Sequence, residues 1–344
     1  MKQHTNFGEN QNLSAIRPAL SVVVPAYNEE ANLAPFLKRL TKTLTSIGLQ
    51  YEIIFVDDGS SDKTAERVMT AHSAIPQVKL VRLSRNFGKE AALNAGISHA
   101  RGDAVVQIDA DLQHPPELIS DFVRHWQNGT EIVYGARQSR DGEPVVRKLL
   151  ATCFYKVFAS LSDVKLMEGL GDFLLMDRKV VNALLALPER ERFTKGLYAW
   201  VGFSRMALPF EVEKRQEGNS GWSMLKLFSF GVNAIVSFGT IPLKVWTYLG
   251  LTLAIPSLAY GIYTIIKTLV FGIDVPGYAS LMVALCFFSG VQLCGLGIIG
   301  EYLGRVLAEV KQRPIYLVKE TEGFDLDVPK TANTASQNLQ QAAE

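Results

Sequence analysis

Between Leu20 and Gly135 the apolar positions of this chain follow two alternating rhythms. Leu20–Pro25 is a β-branched run closed by proline, and Asn32–Ile47 sets Leu33, Phe36, Leu37, Leu40 and Leu44 at helical spacing. Tyr51–Val56 reads as a buried strand, Asp62–Ala71 as a helix, Val78–Leu83 as a strand and Lys89–Ala100 as a helix. Ala104–Ile108 is strand-like, Leu118–Trp126 helical and Glu131–Gly135 strand-like. Strands alternating with helices predict an α/β domain with a mostly parallel sheet covered on both faces. Ligands of such sheets bind beyond the carboxyl ends of the strands. Pro25–Glu30, Asp57–Ser61 and Asp109–Gln113 are polar clusters at three such ends, which predicts one shared site.

After about residue 240 the pattern changes. Val245–Ile266 and Tyr278–Gly300 are almost uninterrupted apolar runs. Each is long enough to cross a hydrocarbon core of about 30 Å as a helix. The short connection Lys267–Gly277 joins them into a predicted transmembrane hairpin. Arg305, Lys311, Arg313 and Lys319 follow the second span, whereas the connection carries only Lys267 against Asp274. The positive-inside rule then places the C-terminal tail, and with it the first half of the chain, in the cytoplasm. Trp222–Val236 has Trp222, Leu225, Phe228, Val232 and Ile235 at helical spacing and leads into the first span, as an interfacial amphipathic helix would. Val145–Leu161, with Arg147, Lys148 and Lys156 nearby, fits an interfacial helix and an ordinary packed helix equally well.

The expected organisation is a disordered tail over 1–19, a catalytic domain over 20–220 and a juxtamembrane segment over 221–240. A hairpin over 241–305 and a cytoplasmic tail over 306–344 complete it. The chain has 344 residues and a formal net charge of +1, so it carries no electrostatic footprint for nucleic acid. The polar start, Met1–Pro18, has no apolar core and predicts no secretory signal. Cys153, Cys286 and Cys294 are scattered and support neither a disulfide framework nor a zinc site.

The segment Val105-Val-Gln-Ile-Asp-Ala-Asp-Leu-Gln-His-Pro-Pro-Glu117 carries the clearest chemistry. In extended chain, residues two apart point to the same side, so Asp109 and Asp111 converge beyond the strand end. With Gln113 they form a hard-oxygen set suited to Mg2+ or Mn2+, the kind of site that serves a phosphorylated substrate. A plain acidic turn is the competing reading of Asp-x-Asp alone.

The motifs Ser21-Val-Val-Val-Pro-Ala-Tyr-Asn-Glu-Glu30, Val56-Asp-Asp-Gly-Ser-Ser-Asp62, Arg85-Asn-Phe-Gly-Lys89 and Asp109–Glu117 together resemble family 2 glycosyltransferases of the Rossmann-like GT-A fold. Gly171–Arg178, Phe193–Phe203, Pro276–Ser280 and Gly300–Arg305 are similar to the polyprenyl-phosphate glycosyltransferases. Within that group the chain most resembles the bactoprenol glucosyltransferases of O-antigen modification, with dolichyl-phosphate mannose synthases as more distant relatives.

The resemblance implies inverting transfer of a sugar from a nucleotide diphosphate to undecaprenyl or another polyprenyl phosphate at a bacterial cytoplasmic membrane. UDP-glucose is the favoured donor; mannose, N-acetylglucosamine and a modified aminosugar stay open. It also implies a homo-oligomer (a tetramer), a flippase and a later glycosyltransferase as partners. Pro25, Ala26, Tyr27 and Glu29 would line the base and ribose, Asp57 would contact one of them, and Asp109 and Ala110 would complete the donor site. Arg85 and Lys89 would meet phosphate or ribose, although Lys89 reads equally as part of a solvated turn, and Asp58 as a helix-capping turn residue. Asp111, Asp172 and Arg215 are the candidate catalytic residues. Arg137, Arg140, Arg147 and Arg215 are candidates for the lipid phosphate. Gly221 stands where relatives often carry Lys, and Lys214 is a candidate substitute.

Three rivals fit less well. A processive polysaccharide synthase would carry Gln-x-x-Arg-Trp, and no such run occurs near Trp200, Trp222 or Trp246. A Rossmann oxidoreductase would carry Gly-x-Gly-x-x-Gly after the first strand, and it does not. A catalytically silent scaffold would not need Asp109, Asp111, Gln113 and Arg215.

Overall fold

A computed structural model describes residues 18–137, 170–190, 194–211, 241–271 and 277–324. The central strand β1 (Leu20–Ala26) pairs in parallel with β2 (Tyr51–Asp57) on one side and β4 (Ala104–Gln107) on the other. Beyond β2 lies β3 (Val78–Leu83), also parallel. The flanks are mixed. Strand β6 (Leu170–Asp177) runs antiparallel between β4 and β5 (Ile132–Arg137), and β7 (Arg205–Phe210) lies parallel beside β5. Strand β8 (Val318–Glu322) adds antiparallel to β3. The described strands form one sheet in the order β7-β5-β6-β4-β1-β2-β3-β8.

Period-two alternation sends successive side chains to opposite faces. Val22, Val24, Phe55, Leu80 and Val106 face one layer, built from α1 (Leu33–Ile47), α2 (Thr64–Ala74) and α4 (Ile119–Gln127), here with Phe36, Leu40, Val68 and Phe122. Val23, Ile54, Val56, Val81 and Val105 face the other, built from α3 (Lys89–His99), α5 (Arg178–Ala186) and α6 (Thr194–Trp200). Helix α3 lies so close to β1 that a Cβ on Gly96 would fall 2.2 Å from Val23 Cγ1, which fixes glycine there. This is the layered α/β architecture that the alternating pattern predicts.

Two long helices follow, α7 (Ile241–Phe271) and α8 (Tyr278–Val310). At 1.5 Å per residue they span about 46 Å and about 50 Å, more than a hydrocarbon core needs. The part of α8 from Phe287 to Val310 is long and apolar enough to cross a membrane, with mean hydropathy 1.2, and its surface is almost wholly exposed. The apolar part of α7, Tyr248–Tyr263, is shorter. Tyr260, Ile262, Leu269, Phe271, Leu285, Leu293 and Leu296 lie exposed on these helices, a patch that only a lipid phase or a partner would cover. The Trp246 indole packs against Gly295 and leaves no room for a Cβ there.

The reading of 306–344 as a plain tail needs revision at one place. Val318–Glu322 is a strand of the sheet. All five residues are exposed and carry no apolar alternation, so no sequence pattern marks them. Backbone pairing and the Arg82–Glu320 ion pair at 2.9 Å hold them. The amphipathic segments Val145–Leu161 and Trp222–Val236 lie outside the described residues, as do the predicted terminal tails over 1–17 and 325–344.

Candidate active site

Strand β4 ends at Gln107, and the chain then turns across the carboxyl edge of the sheet through Asp109, Ala110 and Asp111. Leu112 adopts a φ of 60°, a left-handed conformation that costs energy for a side chain with Cβ. The Gln113 N–H donates to Asp111 Oδ1 at 3.1 Å across this kink. Pro115 and Pro116 then open a short 3-10 turn that leads into α4.

This geometry adds a residue to the set expected from the sequence. One ligand atom each from Asp109, Asp111 and His114 lie within 4.8 Å of one another. His114 is 2% exposed and packs beside Phe173 and Phe210, with ring centroids at 5.3 and 5.5 Å. Its Nδ1 is buried without a hydrogen-bond partner, 3.9 Å from Asp109 Oδ2. Burial pushes the His114 pKa down against the pull of Asp109 and Asp111, so the ring is neutral at pH 7 and has a lone pair to offer. Two carboxylates and an orphaned imidazole nitrogen fit a divalent cation. His114 sat inside the quoted motif, but only tertiary packing reveals that its ring turns back towards the aspartates. The structure places Gln113, partly exposed, beside this cluster.

Asp172 reaches the same edge because β6 runs antiparallel to β4. Gln107 is in register with Leu174, so Asp172 lies beyond the end of β4. Lys89, the first residue of α3, bridges the two acids. Its Nζ lies 2.7 Å from Asp109 Oδ1, 2.8 Å from Asp109 Oδ2 and 2.5 Å from Asp172 Oδ2. Burial opposes the Lys89 charge, yet the charges of Asp109 and Asp172 outweigh it and hold the proton well above the lysine range. Burial likewise opposes ionisation of Asp172, and Lys89 and then Lys195 overcome it, so Asp172 stays a carboxylate well into acid.

The neighbouring Glu90 behaves in the opposite way. Burial, reinforced by the charge of Asp172, raises its pKa to about 7. It lines a cleft of about 510 Å³ with Phe87, Arg190, Lys311 and Arg313, where α3 meets the end of α8. The unfolded chain loses this proton near 4.5 and the folded protein keeps it to about 7. Stability should therefore fall as pH rises through that window and level off above it, by at most about 3 kcal/mol. Glu90→Gln should flatten this slope and raise the melting temperature at pH 8. An unchanged slope in melts between pH 4.5 and 8 would assign it to another group.

The first strand ends are tied together by short polar contacts. Tyr27 projects exposed from the edge beyond Pro25 and Ala26. Asn28 Oδ1 accepts from Ser61 N at 2.9 Å, Glu29 N donates to Thr64 Oγ1 at 3.0 Å, and Glu29 Oε2 accepts from Asn32 Nδ2 at 2.7 Å. Asp57, fully buried, accepts from Ser60 N at 2.9 Å and lies 3.1 Å from Arg82 Nε. Asp58 does more than cap a turn: its two oxygens accept from Phe87 N and Gly88 N at 2.7 and 2.9 Å, which anchors the loop before Lys89. Gly59, at φ 71°, backs onto this loop so closely that a Cβ would fall 2.5 Å from the Arg85 carbonyl carbon. Arg85 lies over the Phe87 ring at 4.0 Å. Arg137 ends β5, exposed. Arg140, Arg147, Lys214, Arg215 and Gly221 lie outside the described residues.

Comparison with known proteins identifies the family. Residues 21–185 match the model of glycosyl transferase family 2, and residues 241–306 match the GtrB C-terminal hairpin. An uncharacterised glycosyltransferase of Synechocystis sp. is 53% identical over 306 residues, 89% of this chain and 96% of that one. The SfII prophage-derived bactoprenol glucosyl transferase of Shigella flexneri is 42% identical over 302 residues, 88% of this chain and 98% of that one. Among solved structures, a mannosyltransferase from Pyrobaculum calidifontis in complex with GDP-Man and Mn2+ aligns over 87% of each chain, with 16% identity and a TM-score of 0.43. With its strand-edge aspartates, its layered sheet and its apolar C-terminal hairpin, this chain belongs to the family 2 glycosyltransferases, as an enzyme associated with the membrane.

Proposed function

We propose that the enzyme transfers a sugar, glucose from UDP-glucose, to undecaprenyl or a related polyprenyl phosphate at the cytoplasmic face of the bacterial inner membrane. The observation that carries this reading is the convergence of Asp109, Asp111, His114, Lys89 and Asp172 on one sheet edge, in a chain that also carries a membrane hairpin. The Shigella relative, a bactoprenol glucosyl transferase, supports the choice of acceptor and sugar.

In the proposed reaction an acceptor phosphate oxygen attacks the anomeric carbon. The bond from that carbon to the β-phosphate oxygen breaks on the opposite side, with inversion, and UDP leaves. Asp109 and Asp111, with His114 behind them and Gln113 alongside, would hold Mg2+ or Mn2+. When bound, such a cation takes up the negative charge that grows on the departing β-phosphate. The acceptor needs little activation, because the second pKa of a phosphate monoester is about 6 and it is largely a dianion at pH 7. Asp172, an ionised carboxylate paired to Lys89, would then orient the site rather than remove a proton. The exposed Tyr27, with Pro25, Ala26 and Glu29, would receive the nucleoside, and Arg85 the phosphates.

In this reading both long helices span the bilayer, the C-terminus is cytoplasmic, and the enzyme works as a homo-oligomer. Its lipid product would need a flippase and a later transferase. The test is a panel of labelled UDP-glucose, GDP-mannose and UDP-N-acetylglucosamine, each given to purified enzyme with undecaprenyl phosphate. Label from UDP-glucose should enter the organic phase, and EDTA should abolish it. Absence of lipid-phase label from every donor would overturn the assignment.

A further inference from the structure

We propose that Lys89 is a built-in competitor for the metal, holding Asp109 until a nucleoside diphosphate draws the ammonium away, so that cation and donor bind as a coupled pair. This rests on the metal-dependent reading above. One Nζ lies within 2.8 Å of both oxygens of Asp109 and also reaches Asp172 at 2.5 Å. Those Asp109 oxygens are the ones a divalent cation would need at direct coordination distance. A second cation on the same carboxylate would repel the ammonium at close range, so the two compete for Asp109.

Three features make Lys89 a movable occupant rather than a fixed brace. Its backbone is anchored, because Asp58 holds Phe87 N and Gly88 N, so displacement is confined to the four-carbon stem. Its side chain keeps 42% of its surface open, so it can swing along the edge without unpacking the core. Among the described contacts its Nζ pairs with Asp109 and Asp172, whereas Asp111 and the orphaned His114 Nδ1 complete the cation cluster. A nucleoside diphosphate brings the anionic oxygens that a compact, strongly hydrated ammonium binds well. Its arrival would relieve Asp109 and give Lys89 a new partner in one event. The metal would then be recruited chiefly when a donor is present.

The experiment measures free Mn2+ by electron paramagnetic resonance during titration of the full-length protein in detergent, with and without UDP. Wild type should bind Mn2+ weakly alone and more tightly with UDP. Lys89→Met should bind Mn2+ alone about tenfold more tightly and lose most of the UDP-linked gain. Lys89→Arg, which keeps the charge, should stay near wild type. Thermal melts establish that each variant is folded. If folded Lys89→Met binds Mn2+ alone no more tightly than wild type, or more weakly, the competition is overturned while the metal site stands. If wild type fails to bind Mn2+ even with UDP, the metal-dependent reading itself falls, and this proposal with it.

Discussion

Exchange of Asp111 for asparagine should lower sugar transfer by about a thousandfold while leaving the fold intact. Asparagine has the same shape and keeps an oxygen to accept the Gln113 N–H that bridges the Leu112 kink, so the loop retains its support. What disappears is one negative charge from a cluster that is buried and tightly spaced, with Asp111 only 8% exposed. A cation polarising a phosphoryl oxygen contributes several kcal/mol to the transition state, and about 4 kcal/mol corresponds to about a thousandfold in rate. Initial rates at saturating Mn2+ and UDP-glucose, with melting curves as control, give the answer. A rate within about tenfold of wild type would mean that Asp111 contributes less than about 1.4 kcal/mol and that the cation is not held there.

The largest expected effect on stability lies far from this edge. Glu52 is 2% exposed on β2. Its Oε1 accepts from Ser21 Oγ at 2.5 Å and from Arg101 N at 2.7 Å, and its Oε2 accepts from Lys79 Nζ at 2.8 Å. Ser21 Oγ in turn accepts from Gly102 N at 2.8 Å. The network joins β1, β2 and β3 at their amino ends to the turn that enters β4. Glu52→Ala would leave a lysine ammonium only 14% exposed, together with a hydroxyl and a backbone N–H, without their acceptor. Breaking one partner of such a buried pair costs about 3–5 kcal/mol. A thermal or denaturant melt in detergent should show that loss, and the double change Glu52→Leu with Lys79→Met should recover much of it. A loss of less than about 1 kcal/mol would mean that Lys79 simply swings to solvent, as exposed pairs do.

The contrast between these two sites shows what the sequence could and could not reveal. Val22, Val23 and Val24 lie in a run buried on both faces, and Leu33, Phe36, Leu40 and Leu44 share one helix face, so periodicity alone exposes the strands and helices around β1. Asp109 and Asp111 are legible because they sit two apart at a strand end. Lys89 as the bridge between Asp109 and Asp172 is not legible, since it reaches Asp109 from the start of another element twenty residues away. His114 was hidden because its role depends on Phe173 and Phe210, which arrive from distant strands. The Asp57–Arg82–Glu320 chain of charge was hidden because β8 has no apolar rhythm and comes from the far side of the hairpin. Local pattern encodes what a segment buries; it does not encode which distant charge settles beside it.

The position of β8 has a mechanical consequence. The last described strand before the long helices, β7, forms one margin of the sheet, and the first strand after them, β8, forms the opposite margin. On the return side the join is short: α8 ends at Val310 and β8 begins at Val318. A connection of that length reaches at most about 25 Å even when fully extended. The β8 margin of the sheet is therefore moored to the end of α8 like a boat on a short line, and cannot drift far from the helix that carries it.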